Sequence, residues 1–321
     1  MNTYTVLATP RSFAAKDDAP IKLLEQNGCR VIRLNPAAGN LREQLLEHLP
    51  SADAVIAGLE NYDKELIAAA SKLKIISRYG VGYDNVDLKA AAQAGIKVSI
   101  TPGANSNSVA DMAITLMLCA ARNICPMDAA VRAGKKEKPV SGVEMWEKTL
   151  GVVGTGKIGK GVIERASGFR MNILASDTYK DTDFIDLYKG KYVDIDTLFK
   201  QSDFISLHVP LTDETKNIVN KKRLSLMKPR AVLVNTARGG LIDEDALYTA
   251  LKEGSIGAAA LDVLARDNPE ESPLRTLDNC IITPHAGAAT AEASYNMGMT
   301  AAQNVIDVLG GKTCTYLVEP D

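Results

Sequence analysis

The chain has 321 residues, 46% of them hydrophobic and 24% charged, with a formal net charge of −2. That length exceeds one average domain of about 100–150 residues, so two are expected, and the near-neutral balance offers no bulk attraction to nucleic acid or an anionic membrane. The longest apolar stretch, around "MAITLMLCAA", is flanked by Asp111 and Arg122 and is too short for a span, and the N-terminus lacks a basic run followed by an apolar one; neither a membrane segment nor a secretion signal is expected.

The first hundred residues alternate short apolar runs, "TYTVLAT", "CRVIRLN", "AVIAGL", "KIISRYG" and "KVSI", with the helix-periodic segments "APIKLLEQNG", "LREQLLEHL", "DKELIAAASKL" and "DLKAAAQAG". This alternation predicts a parallel sheet covered by helices. In "TPGANSNSVADMAITLMLCAARN", Pro102 and Gly103 end the preceding strand and Ser108 and Asp111 have capping-box spacing. Val109, Met112, Ala113 and Leu116 then share one face, which predicts a long helix leading into a second domain. The polar stretch "VRAGKKEKPVSGVEMWEK" reads as a connector. From Leu150 a second alternation follows, with strands at "LGVV", "NILASD", "DFISLHV", "AVLVNTA", "GAAALDV" and "CIITP", before a long helix at "TAEASYNMGMTAAQNVIDVLGG" and a short tail. Two consecutive α/β units are predicted.

The second unit opens on a glycine turn. In "GVVGTGKIG", Gly154, Gly156 and Gly159 follow a candidate buried strand with G-x-G-x-x-G spacing. The first glycine permits a tight turn, the second lets backbone approach a pyrophosphate, and the third lets the helix pack on the strand. The helix N-terminus adds free N–H groups and a positive dipole end. Asp177 ends the next strand, where an acid binds the adenosine ribose hydroxyls and repels a 2′-phosphate. NAD is therefore expected over NADP, with Lys180 the cation close by.

Reduction of a carbonyl requires a proton donor, and histidine suits that task near neutral pH. His48 ends an amphipathic helix and reads as a surface residue. His208 and His285 both follow apolar strands, at the edge where open α/β sheets bind ligands. Arg238 follows "AVLVNTA" in the same way, and its guanidinium can fork onto a substrate carboxylate. Asp262, Asp267, Glu270 and Glu271 are the acids available to orient a histidine, and spacing leaves all four open. The five cysteines are odd in number and lack metal-ligand spacing; reduced thiols in a cytoplasmic protein and no metal site are expected.

The stretches "SRYGVGYDNVDLKAAAQAGIKV", "TPGANSNSVAD", "LGVVGTGKIGKGV", "SDFISLHVPLTDETKNIVN", "MKPRAVLVNTARGGLIDEDAL", "GAAALDV" and "ITPHAGAAT" resemble, in order, the D-isomer-specific 2-hydroxyacid dehydrogenases, in particular their phosphoglycerate dehydrogenase-like branch. The resemblance implies an α/β fold of two Rossmann-like, doubly wound parallel-sheet domains. An NAD-binding domain over 103–287 would be inserted into a flavodoxin-like substrate domain built from 1–102 and 288–321. It also implies a catalytic arginine, acid and histidine in that order. Arg238 and His285 match the first and third. For the acid, the family's glutamate before proline is replaced here by "DVLARDNPEESPL": counting forward from Asp262 reaches Asp267, whereas counting back from Pro269 reaches Asn268. Asp267 is preferred, because a carboxylate holds a histidine tautomer and stabilises its cation.

By the same matching, the cofactor site is expected to include Lys157, Ile158, Asp177, His208, Val209, Pro210, Thr236, Ala237, Asp262 and Gly287, together with the three glycines. The backbone around Val81 and Gly82 is expected to hold the substrate carboxylate, with Asn105 nearby. Where some phosphoglycerate dehydrogenases carry a phosphate-binding arginine this chain has Gly58, which leaves Arg78 as the expected phosphate contact. The resemblance also implies a homodimer built through the cofactor domain, and no serine feedback through a C-terminal regulatory domain. The expected activity is NAD-dependent interconversion of a small D-2-hydroxy acid and its 2-oxo acid. The candidates are 3-phosphoglycerate oxidation or glyoxylate and hydroxypyruvate reduction, and a non-catalytic NAD-responsive binding protein is the rival of another class.

Overall fold

Strands form where the apolar runs are, and most helices between them start at a side chain that caps them. In the computed structural model, which describes residues 4–35, 39–135, 140–266 and 269–320, the chain begins β1 (Tyr4–Ala8), α1 (Ala19–Gln26), β2 (Cys29–Arg33), α2 (Leu41–His48), β3 (Ala54–Ala57), α3 (Lys64–Ala69), β4 (Ile75–Arg78), α4 (Leu88–Gln93) and β5 (Lys97–Ser99). Next come α5 (Ser106–Ala121) and α6 (Ile124–Arg132). A second alternation runs β6 (Thr149–Val153), α7 (Lys157–Ser167), β7 (Asn172–Ser176), α8 (Thr182–Leu187), β8 (Lys191–Tyr192), α9 (Ile195–Gln201), β9 (Phe204–Leu207), α10 (Lys221–Leu226), β10 (Val232–Asn235), α11 (Glu244–Lys252), β11 (Ala258–Leu261) and β12 (Cys280–Ile282). The chain closes with α12 (Ala291–Leu309) and β13 (Leu317–Val318). Asp63, Asp87, Asp181, Asp194 and Asp243 each accept a backbone N–H of the first turn they precede, which satisfies donors that the helix cannot.

Two units result, Met1–Asn105 with Ala288–Asp321 and Ser106–Gly287. In the first, the strand order is β13-β5-β4-β3-β1-β2. All pairs are parallel except β13, whose Leu317 and Val318 run antiparallel to Ser99 and Val98. Strands β3 and β4 are buried along their whole length, as a parallel sheet with both faces covered requires. Ala301, Ala302 and Val305 of α12 pack with Val6, Ile56 and Ile75, while Leu45, Leu66 and Ile67 pack with Leu7, Val55 and Ile76 in a separate cluster.

The second unit has the strand order β12-β11-β10-β9-β6-β7-β8, with every pair parallel. Met117 of α5 and Val162 and Ile163 of α7 pack with Leu150, Val152 and Phe204 in one cluster. Leu198, Leu224 and Leu247, from α9, α10 and α11, fill another. The close approach of α5 to α7 depends on Gly161, where an added Cβ would stand 3.1 Å from Ala110 Cβ.

Three features differ from the sequence expectations. The long helix starts at Ser106, so Ser108 lies inside its first turn and is no cap; Asp111 turns to Arg165 and pairs with its Nε at 2.5 Å. Asn123 takes a left-handed conformation (φ 53°) and lets the chain restart as α6, bent 65° from α5, a helix the sequence reading did not anticipate and which takes Val131 and Arg132 from the start of the expected connector. The two-residue strands β8 and β13 are too short to carry a period and exist through their neighbours. No single helix among the described residues is long and apolar enough to cross a membrane.

Candidate active site

Each sheet reverses its strand order once, and in an open α/β sheet ligands bind beyond the carboxyl ends at that point. In the second unit the reversal falls between β6 and β9. The glycine turn leaves β6 there. Gly154 has φ 93°, and a Cβ on it would meet the His208 carbonyl carbon at 2.7 Å; one on Gly159 would meet the Gly154 carbonyl oxygen at 2.0 Å. Gly156, by contrast, has nothing within 4 Å of its Cβ position. Two of the three glycines close the turn, and the middle one leaves its outer side open. Lys157 and Ile158 begin α7 directly after it.

Asp177, one residue past β7, accepts from the Thr155 backbone N–H at 2.5 Å, the Thr155 hydroxyl at 3.0 Å and the Tyr179 N–H at 3.0 Å. Burial opposes its ionisation, but these hydrogen bonds outweigh burial and hold the carboxyl below its usual range. A permanent negative charge therefore sits beside the turn and disfavours a 2′-phosphate.

His208 follows β9. Its Nε2 lies 2.8 Å from the Ser206 hydroxyl, and enclosure of the ring lowers its pKa to about 3, so it stays neutral. Its Nδ1 and the Thr236 Oγ1 are buried with no hydrogen-bond partner among the described residues. Buried polar atoms are normally paired. These two flank the strands next to the open face of the glycine turn, and they fit a ligand rich in hydrogen-bonding groups, as a dinucleotide is. In the loop after β9, Val209 reaches Gly154, its Cγ1 2.9 Å from the Gly154 Cβ position, and Pro210 follows it.

Of three adjacent strands, β10 and β12 bring Arg238 and His285, two of the expected catalytic residues, to one edge, and β11 between them brings Asp262. Arg238 follows β10 in a turn closed by Asn235, which accepts from Ala237 N–H at 3.0 Å and donates to the Arg238 carbonyl at 2.8 Å. The Arg238 guanidinium donates to the Ala237 carbonyl at 2.8 Å. Beyond β11, Asp262 is 1% exposed. Its Oδ1 accepts from the Thr283 hydroxyl at 2.5 Å and Ala286 N–H at 2.8 Å, its Oδ2 from Gly287 N–H at 2.7 Å. Its carbonyl accepts from His285 N–H at 2.9 Å. Asp262 thus grips the whole loop that carries His285, an exposed residue at φ 54°.

Asp267 lies outside the described residues. The ends of its loop are held by Glu244, 6% exposed, which accepts from Ala265 N–H at 2.5 Å and from the Ser272 hydroxyl at 3.0 Å. Gly239 allows this loop to lie against the Arg238 turn, since a Cβ there would overlap the Leu264 carbonyl carbon at 1.9 Å. Cys280 is no nucleophile: burial first, and nearby Glu244 second, push its thiol up to about 12. Among the described residues no cluster of histidine, cysteine or acid side chains could hold a metal ion.

In the first unit the loop after β4 carries Val81 and Gly82. Neither backbone N–H donates a hydrogen bond among the described residues, so both are available to an anion. Asn105 Oδ1 is likewise buried without a partner among the described residues. Arg78 departs from the expected phosphate contact. It is 3% exposed, its Nε donates to the Gly82 carbonyl at 2.9 Å, and its Nη1 donates to the carbonyls of Ala57, at 2.6 Å, and Gly58. With its Nε and Nη1 bonded to three carbonyls, this buried guanidinium braces two loops.

The sequence model of the NAD binding domain of D-isomer specific 2-hydroxyacid dehydrogenases matches residues 114–287. The chain belongs to this family. Its second unit accordingly carries the NAD-binding domain of that family, and the cofactor is NAD. Among its relatives are a D-3-phosphoglycerate dehydrogenase of Methanocaldococcus jannaschii, 45% identical over 93% of this chain and 57% of that one, and a hydroxypyruvate reductase of Thermotoga maritima, 44% identical over 84% and 89%. The chain therefore spans little more than half of the first relative's length. The solved structure of an Aquifex aeolicus D-lactate dehydrogenase complexed with NAD and lactic acid has a TM-score of 0.84 at 28% identity, over 98% and 99% of the two chains.

In this family member, Asn235, Glu244, Ser272 and Thr283 hold loops at the strand ends, and motif spacing does not reveal them. Asn235 alone had a local signal, an Asx residue ending a strand before a tight turn. Glu244 and Thr283 act on partners 21 or more positions away, beyond the reach of any local pattern.

Proposed function

We propose that this chain interconverts a small D-2-hydroxy acid and its 2-oxo acid with NAD. The observation that carries the proposal is the departure of Arg238, Asp262 and His285 from three adjacent parallel strands, beside a glycine turn whose middle residue is open. Strands about 4.8 Å apart put the first and last of these about 10 Å apart at the sheet edge, the two sides of a small acid. Bound NADH supplies the hydride. Arg238 donates to the substrate carboxylate and polarises the neighbouring carbonyl, and His285, oriented by Asp267, gives its proton to the C2 oxygen. In oxidation His285 takes that proton back. Within the first unit, the N–H groups of Val81 and Gly82 suit a carboxylate, and Asn105 lies next to α5.

The test is NADH oxidation by the purified protein with glyoxylate, pyruvate, hydroxypyruvate and its 3-phosphate ester, with NADPH as control. Turnover of at least one acid with NADH, and at least about tenfold less with NADPH, is expected. Tight NADH binding without turnover of any acid would favour the non-catalytic NAD-responsive reading instead.

We also read the protein as a cytoplasmic homodimer formed through the second unit. Its five cysteines are free thiols. Helix α6 buries none of its nine residues, and Ile124 (46%) and Val131 (72%) stand exposed on it, followed by Val140 (56%) and Trp146 (47%). Exposed apolar groups in such number along one segment mark an interaction surface. Wild-type protein is expected to sediment as a dimer and the Val131→Asp variant as a folded monomer; a monomeric wild type would refute the assignment.

A further inference from the structure

The first unit has its own reversal of strand order, between β1 and β3. The residues that leave those strands at the carboxyl edge are Thr9 and the segment Gly58–Glu60, at the place where such a sheet binds a ligand. There Glu60 folds back over Gly58. Its Oε1 accepts from the Gly58 N–H at 2.8 Å, the Tyr62 hydroxyl at 2.9 Å and the Thr9 hydroxyl. Thr9 is 2% and Tyr62 1% exposed, so two of these donors are fixed parts of the core. Burial, and the Glu60 charge after it, push the Tyr62 phenol well above its ordinary range. The second carboxylate oxygen, Oε2, makes no hydrogen bond among the described residues. It also lies 2.7 Å from the Cβ position of Gly58, so a longer side chain at 58 would displace it.

The neighbouring loop carries the unengaged N–H groups of Val81 and Gly82. One guanidinium, Arg78, donates to both the Gly82 and the Gly58 carbonyls, so the Val81–Gly82 backbone and the segment bearing Glu60 are tied together through a single side chain. A three-carbon acid held by its carboxylate on those amides would bring its third carbon toward Glu60.

We propose that Glu60 sets the substrate class, accepting a hydrogen bond from a hydroxyl on the third carbon and rejecting acids phosphorylated there. This rests on the dehydrogenase reading above. A hydroxyl donating to a carboxylate forms a charge-assisted hydrogen bond, whereas a phosphate dianion at the same place meets a like charge, which opposes binding.

The experiment compares wild type, Glu60→Gln and Glu60→Ala. Steady-state kcat/KM is measured for hydroxypyruvate and its 3-phosphate ester, and calorimetry gives the affinities of D-glycerate and 3-phospho-D-glycerate. Wild type is expected to favour the unphosphorylated member by about 100-fold or more. Either variant should raise use of the phosphate ester by about tenfold and weaken the preference mainly through KM and Kd. A wild type that handles the ester as well as hydroxypyruvate, or a preference unmoved in both variants, overturns the proposal. Glyoxylate with wild type keeps the two readings apart. If no 2-oxo acid turns over, the dehydrogenase assignment fails, and the glycerate affinities alone then decide for or against Glu60.

Discussion

His285→Ala lowers kcat by about 100- to 10,000-fold, the range typical of a positioned general acid, while the affinity for NADH changes by no more than about threefold. His285 is exposed on a loop held by Asp262 and contributes no buried packing, so its removal deletes a proton donor and leaves the fold intact. Two measurements check this, steady-state turnover and NADH fluorescence titration. Because the backbone at 285 has φ 54°, Asn is a useful second variant: it tolerates that conformation better than Ala and still cannot donate a proton as imidazolium does. Near-normal turnover in both variants would remove His285 from the chemistry.

Asp262→Ala has the second large effect, and it acts on stability as well as rate. The carboxylate takes three hydrogen bonds from Thr283, Ala286 and Gly287 in a setting that is 1% exposed. Each buried donor left without an acceptor costs about 1–3 kcal/mol. A total loss of about 3–9 kcal/mol is expected, visible in urea unfolding, together with a fall in kcat of at least about tenfold because a displaced loop misplaces the His285 imidazole. Asp262→Asn separates the two effects. Its carbonyl can still serve Thr283 or Ala286, but its amide group would face the Gly287 N–H, donor against donor. Intermediate stability with a kcat nearer that of Asp262→Ala would show that loop placement limits the rate. Unchanged stability in both variants would mean that the loop is held by other contacts.

The contrast between Asp262 and Arg78 shows what a single sequence can carry. Both follow apolar strands at the ligand-binding edge, and by position alone each reads as a ligand contact. Asp262 organises the histidine loop, and Arg78 braces the loops after β3 and β4. Nothing in the flanking residues separates a side chain that faces a ligand from one that meets its own backbone. The acid of the expected triad illustrates the same limit. Counting from either side of "DVLARDNPEESPL" leads to a different residue, whereas the hold of Glu244 on Ala265 and Ser272 depends on a residue more than twenty positions earlier.

The sequence by itself determined the two α/β units, the glycine turn with its acid at Asp177, and the strand ends that bear Arg238, His208 and His285. Those features are encoded by local periodicity and by residues a few positions apart, because strands, turns and helix starts are short-range in the chain. That α6 is a separate exposed helix, that β13 pairs with β5, that Arg78 is bonded to three carbonyls and that Glu60 stands over Gly58 follow only from long-range contacts. Each of these depends on which backbone groups a distant segment presents, and the energy of a buried hydrogen bond is set by the partners the fold brings together.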